Sequence, residues 1–180
     1  NVEVPCSFML VASMNPCPCG YYNHPTHLCT CTQSQILRYM SKISGPLLDR
    51  IDIQVEVTPV PFSDLSKATR GESSSVIRER VIKARQIQAE RFSGQKSVYC
   101  NAQMTSRLLN EFVRLDSNAM QRLHDAMVKF DLSARAYERI LKVARTIADL
   151  AGSEEVKINH VNKAIGYRNL DRGTWGEKEV

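Results

Sequence analysis

Four of the six cysteines lie between Asn15 and Thr32, in N-P-C-P-C-G-Y-Y-N-H-P-T-H-L-C-T-C-T, as two C-x-C pairs, Cys17/Cys19 and Cys29/Cys31. Four thiolates in this pattern can surround one Zn²⁺ tetrahedrally. The single-residue spacing departs from the commoner C-x-x-C knuckle. A loop of reduced cysteines, or a pair that oxidises, fits the same residues. Gly20, Asn23 and Pro25 supply the bends such a loop needs. His24 and His27 sit inside it, at a spacing that singles out no cysteine for them to replace.

Three further residues have types suited to phosphate chemistry. Asn15 ends an apolar run, where an amide can orient a water toward a phosphate. Arg50 follows the turn in G-P-L-L-D-R-I-D, where it can project from a subunit edge. Arg135 lies in the first turn of a helix in L-S-A-R-A-Y-E-R-I-L. A planar cation stabilises the charge that phosphoryl transfer spreads over the transferring oxygens. Each also has a plainer reading: a turn former, an ion pair with Asp49 or Asp52, a solvated helix residue. The sequence contains no G-x-x-x-x-G-K-[ST] loop and no apolar strand ending in paired acids. No Ser/His/acid or Cys/His arrangement stands out. Taken alone, the chain offers no complete active site.

These residues need elements to hold them. Ser7 to Ser13 is a continuous apolar run that reads as a strand buried on both faces of a parallel sheet. Thr32 can cap a helix over 33–42 with Ile36, Leu37 and Met40 on one side, and Gly45-Pro46 forces a turn. Asp52 to Val57 alternates and reads as a second strand. Thr58 to Ser75 is rich in Pro, Ser and Gly, and the chain beyond it reads as helical. Ser73 or Ser74 starts a helix to about Phe92, with Ile77, Val81, Ala84 and Ile87 inward. Thr105 precedes a shorter one carrying Leu108, Leu109 and Phe112. Asp116 or Ser117 caps a third, with Ala119, Met120, Leu123, Ala126, Met127 and Phe130. Ser133 caps a longer helix with Tyr137, Ile140, Leu141, Ala144, Ile147 and Ala148, stopped at Gly152. A last helix from Asn159 shows Val161, Ala164 and Ile165. The implied organisation is the end of an α/β core at 1–58 with its cysteine loop at 17–31, a linker at 59–75, and a helical bundle at 76–180.

At 180 residues and a net charge of +5, the chain has a mild basic excess that permits contact with an anion without demanding it. Arg78, Arg80, Lys83, Arg85 and Arg91, against Glu79 and Glu90, give one helix either a DNA-facing or a solvated surface. Cys6, Cys100, His124 and His160 read as structural. No run of about 18 apolar residues and no signal-like start is present, so a cytoplasmic, reducing location with no membrane partner is expected. The first residue is not Met, and the chain is expected to be a piece of a longer one.

The order of motifs M-N-P-C-P-C-G, C-x-C, S-G-P-L-L-D-R-I-D, G-E-S-S-x-x-I-R-E-R-V, N-A-x-M and L-S-A-R-A-Y-E-R-I-L resembles the magnesium-chelatase-like AAA+ ATPases. The type it is most similar to is the ComM/YifB group of bacterial proteins associated with DNA handling. The likeness runs from about Phe8 to Leu170. It implies the end of a P-loop AAA+ core followed by a helical lid, with the ATP- and Mg²⁺-binding motifs upstream in the parent protein. It implies that Asn15 is sensor 1, that Arg50 is an arginine finger reaching a neighbouring subunit's ATP, and that Arg135 is sensor 2. It further implies a homo-oligomeric ring that remodels DNA by branch migration or unwinding, and a stretch inactive as an ATPase by itself. A magnesium chelatase motor subunit is the first alternative, and a non-catalytic nucleic-acid- or protein-binding module the second.

Overall fold

The computed structural model describes residues 8–57, 59–60 and 71–168. Among them are seven α-helices: α1 (Gln33–Met40), α2 (Gly45–Leu48), α3 (Ser74–Arg91), α4 (Ser106–Phe112), α5 (Ser117–Lys129), α6 (Ala134–Leu150) and α7 (Ile158–Gly166), with a 3₁₀ turn at Asn101–Gln103. The chain divides into two compact units, the first ending at Lys42 and the second beginning at Ile43. No described helix is long and apolar enough to cross a membrane.

Capping residues start most of these helices. Thr32 forms a reciprocal capping box with Gln35 at the head of α1. Thr105, Asp116 and Ser133 each accept the backbone N–H three residues on, from Leu108, Ala119 and Ala136. Gly152 closes α6 at φ +65°, and the Ser153 N–H returns to the Ala148 carbonyl at 2.9 Å. Pro46 lies in the first turn of α2, so Gly45-Pro46 starts a short helix where the sequence suggested only a turn.

In the second unit, α6 is the central element, packing against α3, α4, α7 and the 3₁₀ turn, while α7 also packs on α5. Its inward face carries Ala136, Ile140, Leu141, Ala144 and Ala148, all buried. The alanines let neighbouring helices approach closely, and Leu108, Leu109, Leu123, Val156, Val161 and Ile165 fill the space between. Met120, expected inward on α5, is exposed.

Two further expectations are corrected. Neither apolar segment forms a strand: residues 8–13 and 52–57 have no strand assignment, and Phe8 to Val11 are exposed. A strand needs a neighbour's ladder to satisfy its N–H and C=O groups, and the described residues supply none. The α/β core is therefore not seen; the described fold is helical, with one isolated parallel bridge between Leu115 and Val156. In α3, Ile77 and Val81 are exposed; Ala84 and Gln88 are its buried residues. Cys6 and most of the 59–75 segment lie outside the described residues.

A buried polar network ties the helices together. The Asp149 carboxylate, with 0% of its side chain exposed, accepts from Arg91, from Asn101 Nδ2 at 2.7 Å and from Arg145 Nε at 3.0 Å. The Arg145 guanidinium also donates to the Glu154 and Ser153 carbonyls beyond the end of α6. Burial alone would raise the Asp149 carboxyl; the hydrogen bonds of Arg91 and Asn101 and the nearby guanidinium charges outweigh it and hold it below its ordinary value.

His160, also buried, accepts the Lys157 N–H through Nδ1 at 3.1 Å, closing the first turn of α7. Only the neutral ring can accept there. Burial first, then Arg145, Lys157 and Lys163, push its pKa below 6.5. Above pH 6.5 neither folded nor unfolded chain is protonated at this position, so its stability contribution is flat. As pH falls through that value, the unfolded chain takes up a proton that the folded chain refuses, and stability declines by up to about 1.4 kcal/mol per pH unit until the folded pKa is reached. Urea midpoints between pH 7.5 and 5.5 are expected to fall more for the native chain than for His160→Gln; parallel curves would contradict this.

Candidate functional site

In the first unit the cysteines form a cluster. Gly20, at φ +82°, turns the chain so that its N–H meets the Cys17 carbonyl at 3.0 Å, and Asn23 adds a second left-handed residue at φ 58°. These bends bring Cys29 and Cys31 back onto Cys17 and Cys19. All four Sγ atoms lie within 4.8 Å of one another. Cys17 is buried with Tyr22 and with Ile36 of α1; Cys19, Cys29, Cys31 and Met40 pack around them.

The sulfur separations test which species fits. Cys17–Cys19, Cys17–Cys29 and Cys19–Cys29 stand 3.4, 3.7 and 3.5 Å apart. A disulfide needs about 2 Å. Four sulfurs each about 2.3 Å from one tetrahedral ion would lie about 3.8 Å apart, close to the observed spacing. The electrostatics agree. The backbone N–H of Tyr21 leads, with those of Thr30 and the neighbouring thiols, in lowering Cys19 to about 5. Burial leads in pushing Cys31 up to about 12, helped by hydrogen bonds and charge from its neighbours. The Cys19 thiolate is favoured, while Cys29 and Cys31 resist joining it. A soft divalent cation removes that conflict by accepting all four. His24 and His27 remain outside the quartet: the His24 Nδ1 accepts from the Thr26 and His27 backbone, and the two rings pack on Tyr21.

Asn15 is exposed in the same unit, its side-chain Cγ 4.0 Å from where a Cβ on Gly20 would stand.

In the second unit Arg50 and Arg135 are both exposed. The Arg50 guanidinium donates to the Pro46 carbonyl at 2.8 Å, closing the turn after α2. Arg135 lies second in α6, and its guanidinium makes no hydrogen bond or ion pair with the other described residues. A cation there faces the positive end of its own helix, which disfavours it. Two contacts bring the Arg50 segment to this helix end. The Ser133 hydroxyl donates to Asp49 Oδ2 at 3.1 Å, and Arg139, one turn into α6, pairs with Asp52. Sequence reasoning missed Arg139 and Arg168 as the groups that hold this segment. The basic face of α3 is partly neutralised: Arg80 pairs with Glu72, and Arg91 turns inward to Asp149.

Residues 71–168 match the family described as magnesium chelatase, subunit ChlI C-terminal, and residues 1–65 match magnesium chelatase, subunit ChlI. The chain belongs to the magnesium chelatase ChlI-like family. Within that family it is 43% identical over 173 residues to competence protein ComM of Haemophilus influenzae, covering 96% of this chain and 33% of that protein. It is 40% identical over 175 residues to the uncharacterized YifB proteins of Salmonella typhimurium and Escherichia coli, again covering 96% of this chain and 33% of each. The chain spans about a third of the length of the curated relatives it matches. The boundary between the two ChlI matches, at 66–70, falls inside the Pro-, Ser- and Gly-rich segment. The division by packing falls earlier, at Lys42/Ile43, because Asp49 to Gln54 are bonded to the helices.

Proposed function

We propose that the chain is the C-terminal part of the motor of a ring-forming AAA+ ATPase of the ComM type that remodels DNA in the cytoplasm. In this reading Asn15 aligns the attacking water as sensor 1. Arg50 reaches the ATP of the next subunit as an arginine finger, and Arg135 contacts nucleotide as sensor 2. ATP and Mg²⁺ are held by the upstream motifs of the parent. The observation that carries the reading is that Arg50 and Arg135 are both exposed while Asp49, next to Arg50, is bonded to Ser133 at the start of α6, where the helix itself gains nothing from Arg135.

The test is ATP turnover by the full-length parent, with and without forked DNA. Stimulation by the fork is expected. Turnover indifferent to DNA would remove the nucleic-acid assignment and put the chelatase-type motor ahead.

The cysteine quartet serves this motor as a structural Zn²⁺ site. Cys17, Cys19, Cys29 and Cys31 would occupy all four positions and leave none open for a reacting water. The ion's role is to fix the fold of a small unit with little apolar core of its own. Elemental analysis is expected to find about one zinc per chain, and none in Cys17→Ser. A native chain without metal, or a variant that keeps it, would contradict the assignment.

A further inference from the structure

Residues 49–54 surround Arg50 and are bonded to the helical unit at nearly every step. Asp49 accepts from the Ser133 hydroxyl at 3.1 Å and lies 3.9 Å from the Arg168 guanidinium. The Ile51 carbonyl accepts from Arg168 Nη1 at 2.8 Å. Asp52 pairs with Arg139, and the Gln54 N–H donates to the Tyr167 carbonyl at 2.8 Å. Arg168 is 2% exposed, so its part of the clamp is shielded from water and salt. Every partner comes from α6 and its cap or from the turn after α7, at least 84 residues along the chain.

We propose that this clamp makes the Arg50 segment and α6 one rigid body, so that Arg139 and Arg168 are positioning residues for Arg50. The inference rests on the arginine-finger reading of Arg50. It adds a route between subunits. Any nucleotide-driven displacement of the helical unit, felt through Arg135, displaces Arg50 by the same amount at the neighbour's ATP. The geometry supports this because Asp49 and Asp52, on either side of Arg50, are held at Ser133 and Arg139, on either side of Arg135. A finger working through charge on transferring oxygens is sensitive to such placement, since an error of about 1 Å can cost roughly 100-fold in rate.

The experiment uses the full-length parent and compares Arg50→Ala, Asp52→Asn, Arg139→Gln and the exchanged pair Asp52→Arg/Arg139→Asp. Asp52→Asn and Arg139→Gln are each expected to lower kcat roughly 10- to 100-fold. The KM for ATP, the melting temperature and ring assembly should stay near native values, and the exchanged pair should recover much of the lost kcat. A merely structural pair would lower melting temperature or assembly along with kcat. Two further results would overturn the proposal. If Arg50→Ala abolishes turnover while Asp52→Asn and Arg139→Gln keep native kcat, the clamp does not position the finger. If Arg50→Ala itself retains turnover, the finger assignment falls and the clamp's role falls with it.

Discussion

Arg50→Ala in the full-length parent is expected to lower kcat by roughly 10³- to 10⁵-fold, with a much smaller change in the KM for ATP. The asymmetry has a physical origin. A finger contacts charge that builds up only as the terminal phosphoryl group leaves, so its loss raises the barrier more than it weakens ground-state binding. Little structural damage should accompany the change. Arg50 is exposed, and its hydrogen bond is to the carbonyl of Pro46 in its own turn. The anchors on Asp49, Ile51, Asp52 and Gln54 do not involve its side chain. Arg50→Lys is expected to recover only part of the loss, because an ammonium lacks the planar fork that a guanidinium offers to two oxygens. Steady-state turnover with a melting curve on each variant checks both statements. A loss of kcat accompanied by a collapse in melting temperature would mean that Arg50 holds the fold rather than the phosphate.

The second large effect concerns stability and lies far from any phosphate. Asp149→Ala in the chain is expected to destabilise the helical unit by about 3–5 kcal/mol, or roughly 10–15 °C in melting temperature. Asp149 joins α6 to Arg91 at the end of α3 and to Asn101 in the 3₁₀ turn, and it neutralises Arg145 from within its own helix. Removing it leaves Arg145, with 2% of its side chain exposed, as a buried charge without its carboxylate. Arg91→Met should cost less, since Arg91 is nearer the surface and Arg145 still faces Asp149. The acid side follows the same sign. The folded carboxyl is held below its unfolded value of 3.8, so its contribution is complete above that pH and is lost as pH falls toward the folded pKa. Urea unfolding of the two variants decides; equal losses, or a loss under about 1 kcal/mol for Asp149→Ala, would show that the network does not brace the helical unit.

Local features of this molecule are legible in its sequence and distant ones are not. Thr105, Asp116 and Ser133 cap their helices through side chains that act on N–H groups three residues away, so the signal is complete within one turn. The cysteine quartet is legible for a similar reason, since one loop with a left-handed Gly20 can close it. Arg91 finds Asp149 across 58 residues, Arg139 finds Asp52 across 87, and Arg168 finds Ile51 across 117. No spacing rule connects such pairs; only the packing of α6 does. Only Arg145–Asp149, at the i,i+4 spacing of one helix, carried a readable signal. Residues 8–13 and 52–57 have strand-like apolarity, but strand formation depends on a partner and not on the segment alone. The exposed Ile77 and Val81 of α3 teach the same point for a helix: periodicity marks a face that can be buried, and the neighbours decide whether it is.

The central claim is that Arg50 works on a neighbour's ATP, and mixed rings test it most directly. Full-length Arg50→Ala subunits, each with an intact nucleotide site, would be mixed with subunits whose nucleotide site is disabled but whose Arg50 is intact. Neither parent population should turn over alone. The mixture is expected to regain turnover, because some sites then face a working Arg50 across the interface. A mixture as inactive as its parents, under conditions where the two populations demonstrably share rings, would contradict the claim.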